Sequence, residues 1–365
     1  MAQTPRPRKA LAAVEPYIPG RSAEEVMERF HLQHVTKLGS NENPLGPSPR
    51  IREAVIRALD RIHQYPDGES GRLARRLAER LKVRPEHLFF ANGADNVLTC
   101  LGLAFLEVGD RVIVGAPTYT AYANLARLLG AVPVEVPLRE WRFDVPAMVS
   151  ASAGAKAVFV CNPNNPTGSI LRQEELQTLV EQASPEVLVV VDEAYAEWVD
   201  DPAFSNSIGL LRRHPNMVIV RTFSKIFGLA GLRVGYAIAA PEILGPLNQV
   251  REPFPVDRLA QAAAEASLDD DAYVRASFEN NRAGREYLAR ALAALGLRPL
   301  PSQANFILVD LNQSAENVAQ RLLARGVIIR PGALWGLPTW ARITVGTPDQ
   351  NAEVVNALAG VLTTR

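Results

Sequence analysis

The sequence predicts an α/β protein: a mainly parallel central sheet covered by helices, followed by a smaller α+β unit. Three observations predict it. Near-continuous apolar runs of strand length alternate with helical patterns through roughly the first two thirds of the chain. Polar, chemistry-bearing residues recur where those runs end. From Pro241 the texture changes to alanine-rich helix and then to a second group of short strands.

The elements follow in order. Helical periodicity covers Pro49 to Arg61, Arg72 to Leu81 and Asp95 to Phe105, with a short strand pattern at Leu88 to Ala91. Arg111 to Val114 reads as a strand, Tyr119 to Leu129 as a helix and Val132 to Val136 as a strand. Strands Ala157 to Cys161 and Val187 to Val191 flank the helix pattern Gln173 to Ala183. Val218 to Thr222 and Val234 to Ala239 follow as strands. Ala260 to Leu295 is helical, interrupted around Asp269 to Asp271. Strand patterns recur at Asn305 to Val309, Val327 to Ile329 and Arg342 to Val345, with helices over Glu316 to Arg325 and Asn351 to Leu362. No repeat or low-complexity linker separates these parts, so a domain boundary runs along helices. The expected division is an arm plus part of the small domain over 1–45, a large domain over 46–250 and a small domain over 251–365.

The chain has 365 residues, enough for one large or two modest domains with ample core. Its 39 basic residues match its 39 acidic ones. That balance supplies no global drive toward nucleic acid or an anionic membrane. Arg72, Arg75, Arg76 and Arg80 fall at helical spacing and read as a solvated face. No apolar run reaches the roughly 18 residues of a membrane span. The two cysteines, Cys100 and Cys161, have no metal-ligand neighbour, which suits a reduced cytoplasmic chain. The five histidines form no metal template. The basic, proline-bearing start reads as a mobile arm rather than a signal segment, because Glu15 ends the apolar stretch Leu11 to Val14.

Three segments carry chemistry together. T-F-S-K-I-F-G-L-A-G-L-R-V-G-Y (Thr222 to Tyr236) offers the Lys225 amine and Arg233. V-L-V-V-V-D-E-A-Y (Val187 to Tyr195) offers the Asp192 carboxylate and a phenol. N-P-N-N-P-T-G (Asn162 to Gly168) offers the Asn165 amide. Strand ends of a parallel sheet are where such folds bind ligands. The set matches what pyridoxal 5′-phosphate requires: an amine for a Schiff base, a carboxylate for the pyridinium proton, and cations and hydroxyls for the phosphate. Each piece has a plainer reading. An apolar strand ending in Asp-Glu is also the Walker B pattern, but the phosphate loop G-x-x-x-x-G-K-[ST] is missing; a structural strand-end aspartate stays open. A-N-G-A-D-N (Ala91 to Asn96) is a helix start that binds anions, or an ordinary capped helix. Tyr119 is a core aromatic or a ring-stacking one.

These residues resemble the fold-type I pyridoxal-phosphate aminotransferases, and more closely the histidinol-phosphate aminotransferase family among them. The resemblance runs from P-Y-I-P-G (Pro16 to Gly20) to R-I-T-V-G-T (Arg342 to Thr347). It is most specific at L-G-S-N-E-N-P-L-G-P-S (Leu38 to Ser48), Y-P-D-G (Tyr65 to Gly68), V-R-E-P-F (Val250 to Phe254), I-I-R-P-G and W-A-R-I-T-V-G. It implies that Lys225, Asp192 and Tyr119 are catalytic: Lys225 carries the cofactor, Asp192 pairs with its ring nitrogen and Tyr119 stacks on the ring. It implies that Tyr195 and Asn165 contact the ring oxygen. Ala94 and Asp95 would offer backbone N–H groups to the phosphate, joined by Thr222, Ser224 and Arg233. Tyr65 would reach the phosphate of a neighbouring subunit, so a homodimer with shared sites is implied. Arg342 would grip the substrate carboxylate, with Arg330 and Tyr17 at the substrate phosphate. The implied reaction is transamination of histidinol phosphate with 2-oxoglutarate, giving imidazole acetol phosphate and glutamate in histidine biosynthesis. An aromatic aminotransferase, a decarboxylase of a phosphorylated amino acid and a non-enzymatic cofactor sensor are the alternatives. Pro255 and Asp257 depart from the family pattern, where small polar residues or asparagine are usual.

Overall fold

A computed structural model of the protein describes residues 5–14 and 20–362. Its dominant sheet has seven strands: β1 (Leu88–Asn92), β2 (Arg111–Ala116), β3 (Val132–Pro137), β4 (Ala157–Cys161), β5 (Leu188–Asp192), β6 (Met217–Thr222) and β7 (Val234–Ala239). Their spatial order is β1-β7-β6-β5-β4-β2-β3. Every pair is parallel except those made by β7, which runs antiparallel to β1 and β6. Helices cover both faces, so every residue of β4 and β5 is buried. Burial on two faces explains why these strands read as unbroken apolar runs rather than as an alternation.

A second, antiparallel sheet follows: β8 (Arg298–Pro299), β9 (Phe306–Asp310), β10 (Arg330–Pro331) and β11 (Trp340–Thr344), in the order β10-β11-β9-β8. The buried apolar residues form one large cluster around the seven-stranded sheet, a smaller one around the second sheet and a third made of Val26, Val35, Leu323 and Ile328. Leu38 joins the smaller cluster, with Leu288, Ile307 and Leu358. The alanines Ala260, Ala263 and Ala264 pack with the larger one. The long helix Asp271–Ala294 touches both: Val274 and Phe278 lie against the first cluster, Leu288 and Leu292 in the second. Thr36–Lys37 pairs in parallel with Val327–Ile328, bringing the N-terminal segment to the C-terminal part.

Several local expectations are refined. The helical run after Pro255 divides where the acidic break was expected, into Arg258–Ser267 and Asp271–Ala294. Asp270 caps the second piece by accepting from the Tyr273 N–H. Asp257, the departure from the family pattern, caps the first by accepting from the Ala260 N–H at 2.9 Å. The arginine row is not simply solvated. Arg72 pairs with Glu265 at 2.8 Å, and Arg76 and Arg80 donate to the Glu265 and Leu268 carbonyls. Those carbonyls lie at the end of Arg258–Ser267, where unpaired acceptors and the helix dipole attract cations. Part of the arm read as mobile, Lys9–Ala13, forms a 3-10 turn packed on the helix Ala121–Leu129.

Candidate active site

The parallel arrangement places the ends of β1, β2, β4, β5 and β6 and the start of β7 along one edge of the sheet. Those ends deliver the groups of the site. β5 ends at Asp192, level with Cys161 of β4 and Val220 of β6. The turn after β6 carries Ser224 and Lys225, and Arg233 precedes β7. The loop after β4 carries Asn165, and β1 runs through Gly93 into the helix Ala94–Phe105. Together they line a cavity of about 330 Å³. Of the residues singled out from sequence, it gathers Ala94, Asp95, Tyr119, Asn165, Asp192, Tyr195, Thr222, Ser224, Lys225, Arg233 and Arg342.

Two glycines permit close packing beside one end of this cavity. Gly93 has φ +85°, and a Cβ there would lie 2.5 Å from Arg233 Nη2. A Cβ on Gly235 would lie 2.2 Å from the Ala94 nitrogen. Without side chains at both positions, the helix start, Arg233 and the β7 backbone converge on a small concavity, where Arg233 Nη2 also lies 3.5 Å from Asp95 Oδ2. The first N–H groups of a helix lack intrahelical partners, so this concavity suits an anion. The Thr222 hydroxyl is turned inward: it donates to the Val234 carbonyl and accepts from the Ser224 N–H. Tyr119 donates to Asp95 Oδ1 at 2.8 Å.

The floor is a buried carboxylate. Burial pushes the Asp192 carboxyl up to about 6, against the Tyr122 hydroxyl and the Ala194 N–H, which both favour the anion. Burial pushes the Lys225 amine down to about 8, helped by the nearby Arg342 guanidinium. A lysine of that affinity is partly neutral near pH 7, which a nucleophilic amine needs. Its Nζ lies 5.5 Å from the centre of the Tyr195 ring. The Tyr195 hydroxyl accepts from Asn41 Nδ2 at 3.1 Å and from Asn165 Nδ2 at 3.4 Å. Burial raises that phenol well above its ordinary value.

Arg342, on β11, reaches the cavity from the second sheet. Its Nη1 donates to Asn165 Oδ1 at 2.6 Å and its Nη2 to the Gly39 carbonyl at 2.8 Å. The guanidinium lies 5.3 Å from both the Phe306 and the Trp335 ring centres. A buried guanidinium fixed by carbonyl oxygens and aromatic faces is a pre-set fork for a carboxylate.

Two singled-out residues lie elsewhere. Arg330 lines an adjoining cavity of about 880 Å³ that shares Tyr119 with the first. Tyr65 is 80% exposed and stacks on Phe254 at 4.5 Å. Tyr17 lies outside the described residues. Sequence reasoning also missed two groups. Tyr122 donates to Asp192, and its position three residues after Tyr119 in the helix pattern predicted from Tyr119 was a usable signal, although the helix itself starts at Ala121. Asn41 contacts Tyr195 across 154 positions of sequence, and only its place in the S-N-E-N segment pointed to it.

The family model for aminotransferase class I and II matches residues 33–358. The chain belongs to that family. As an aminotransferase it is similar over nearly its whole length to named relatives. It is 45% identical to the histidinol-phosphate aminotransferase of Moorella thermoacetica, across 99% of this chain and 94% of that one. It is likewise 45% identical to that of Symbiobacterium thermophilum, across 97% and 98%. Among solved structures, the histidinol-phosphate aminotransferase of Sinorhizobium meliloti in complex with pyridoxal-5′-phosphate superposes with a TM-score of 0.91 at 28% identity, covering 99% of this chain and 98% of that one. The aspartate aminotransferase of Thermus thermophilus with maleate gives 0.84 at 26% identity, covering 98% and 100%.

Proposed function

We propose that this aminotransferase moves the amino group of histidinol phosphate to 2-oxoglutarate, giving imidazole acetol phosphate and glutamate. The observation that carries the reading is a guanidinium on each of two adjoining cavities, the inner one holding Lys225. Arg342 is pre-set at the inner cavity, and Arg330 lines the adjoining one. A substrate with a carboxylate or a phosphate ester at a fixed distance from its amine finds a guanidinium in either case. The names of the relatives at 45% identity support the same choice.

The cofactor is pyridoxal 5′-phosphate, and the residues present fit it. The concavity beside Gly93 and Gly235 suits its phosphate, with the Ala94 and Asp95 N–H groups, Ser224 and Arg233 as donors. Asp192, a buried carboxylate, suits its pyridinium proton, and Asn165 with Tyr195 suits its ring oxygen. When bound, the cofactor supplies an aldehyde for the substrate amine and an electron sink for the α-carbon. The protein's residues do the rest. Lys225 would hold the cofactor and, once freed, would serve as the base for the α-proton. Asp192 would keep a proton on the ring nitrogen. Tyr119 would cover the ring, and Arg342 would orient a substrate carboxylate.

We place Tyr65 in the site of a second copy, as a homodimer would require. Its exposure supports this, as does the neighbouring apolar surface of Ile56 and Ile62, 59% and 62% exposed. The two free, buried thiols agree with a cytoplasmic location. Steady-state turnover with histidinol phosphate, phenylalanine and tyrosine tests the substrate. Arg330→Ala should lower kcat/KM for histidinol phosphate roughly 10- to 150-fold, the worth of a hydrogen bond to a charged group. Phenylalanine, lacking the phosphate, should lose less. Equal losses would assign Arg330 to architecture and reopen the aromatic reading.

A further inference from the structure

Tyr122 is one of the largest fully buried side chains of the molecule, and its ring is held on two sides. It stacks on Phe159 of β4 at 5.3 Å and 22°. It meets Tyr119 edge-on at 5.5 Å and 84°. This clamp aims the hydroxyl at the sheet edge, 2.7 Å from Asp192 Oδ2. The other carboxylate oxygen accepts from the Ala194 N–H at 3.1 Å. A carboxylate that receives two donors, one on each oxygen, is built as the anion. The phenol itself is driven well above its ordinary value by burial, so it stays protonated and remains a donor.

We propose that Tyr122 is a positioning residue for the transamination: its clamped hydroxyl, donating to Asp192 Oδ2, keeps that carboxylate anionic and aimed at the cofactor's ring nitrogen. This rests on the reading of Asp192 given above. The surroundings make the bond consequential. Asp192 faces Cys161 on β4, Asp95 at the start of the helix Ala94–Phe105, Tyr195 on its own loop and Lys225 on the turn after β6. Asp95 disfavours the anion and Lys225 favours it, both less than burial and the Tyr122 bond affect it. Among the side chains around Asp192, Tyr122 is therefore the largest influence holding it charged. Its contact with Tyr119 also ties the ring-covering residue to the carboxylate.

The test compares wild type, Tyr122→Phe, Tyr122→Leu and Asp192→Asn, each stripped of cofactor and titrated with pyridoxal phosphate from pH 5.5 to 9. The quantity read is the part of the pH dependence of affinity that Asp192→Asn removes. Tyr122→Phe keeps the stack and the edge contact and loses only the donor. Its acid-side midpoint should rise by roughly one to two pH units, the worth of one hydrogen bond to a carboxylate. Tyr122→Leu loses the packing as well and should show the same midpoint, so either variant suffices if the other does not fold. In the reloaded proteins the pH midpoint of the visible absorbance band should also rise, because that band would sense a ring nitrogen held less firmly protonated. A uniform loss of affinity with an unmoved midpoint would make Tyr122 a packing residue and overturn the proposal alone. An Asp192→Asn protein with the wild-type pH profile would overturn the reading of Asp192 itself.

Discussion

The proton affinity of Lys225 is the most quantitative consequence of the site. An ordinary lysine titrates near 10.5, whereas burial first and Arg342 second bring Lys225 to about 8. At pH 7 the neutral fraction is then roughly one in ten instead of about one in three thousand, a gain of roughly 300-fold in reactive amine. The perturbation is pH, applied to the cofactor-free protein. Trace acetylation with acetic anhydride, read by mass spectrometry on the Lys225 peptide, reports the neutral amine, with Nα-acetyl-lysine as internal reference. Labelling should rise about tenfold per pH unit below the midpoint and flatten near pH 8, while the reference climbs past pH 10. Restricted access lowers the plateau but leaves the midpoint in place. Arg342→Gln should move the midpoint up. Stability follows the same linkage. The folded state releases this proton more readily than the unfolded chain, so between about 8 and 10.5 the unfolded chain binds more protons. The cofactor-free protein should therefore gain up to about 3 kcal/mol as pH rises through that window and lose it as pH falls back to 8. Lys225→Met should abolish that slope. A Lys225 labelling curve that tracks the reference would refute the electrostatic account of this amine.

Three further outcomes are expected. Asp192→Asn should lower kcat by at least about 10²-fold, roughly 2.7 kcal/mol of barrier, in steady-state assays, and a loss within about threefold would leave the carboxylate structural. Gly235→Ala places a Cβ against the Ala94 nitrogen, so cofactor affinity measured by fluorescence quenching should fall at least about tenfold with a loss of roughly 1–3 kcal/mol in stability; wild-type affinity would remove Gly235 from the phosphate argument. Heterodimers of Tyr65→Ala and Lys225→Ala chains should contain one intact site of normal cofactor affinity if Tyr65 acts on its neighbour. Affinity equal to that of a weakened Tyr65→Ala homodimer would end the shared-site reading.

What could be read from sequence divides along physical lines. The strands β4 to β7 were legible because burial on both faces leaves an unbroken apolar run with little else it can be. The helix Pro241–Val250 was not, because Gly245 and Pro246 punctuate it as a loop would. The structure keeps it helical by burying Ile243, Leu244 and Leu247 on the main core, a tertiary gain that local propensity does not contain. The inner cavity divides in the same way. Lys225, Asp192 and Asn165 stand at strand ends, and strand ends of one sheet edge meet whatever the loops do. Arg342 and Asn41 arrive from other parts of the chain and meet Asn165 and Tyr195 through side-chain bonds alone. Thr344 ties the two arrivals together, accepting from the Asn41 N–H and donating to Asn41 Oδ1. Arg342 and the side chains around Tyr195 are thus one hydrogen-bonded unit: Arg342 to Asn165, Asn165 to Tyr195, Tyr195 to Asn41, and Asn41 to Thr344 two residues beyond Arg342. A carboxylate drawing on Arg342 would pull on the same chain of bonds that holds Tyr195, so the proposed substrate and ring-oxygen contacts would share one network.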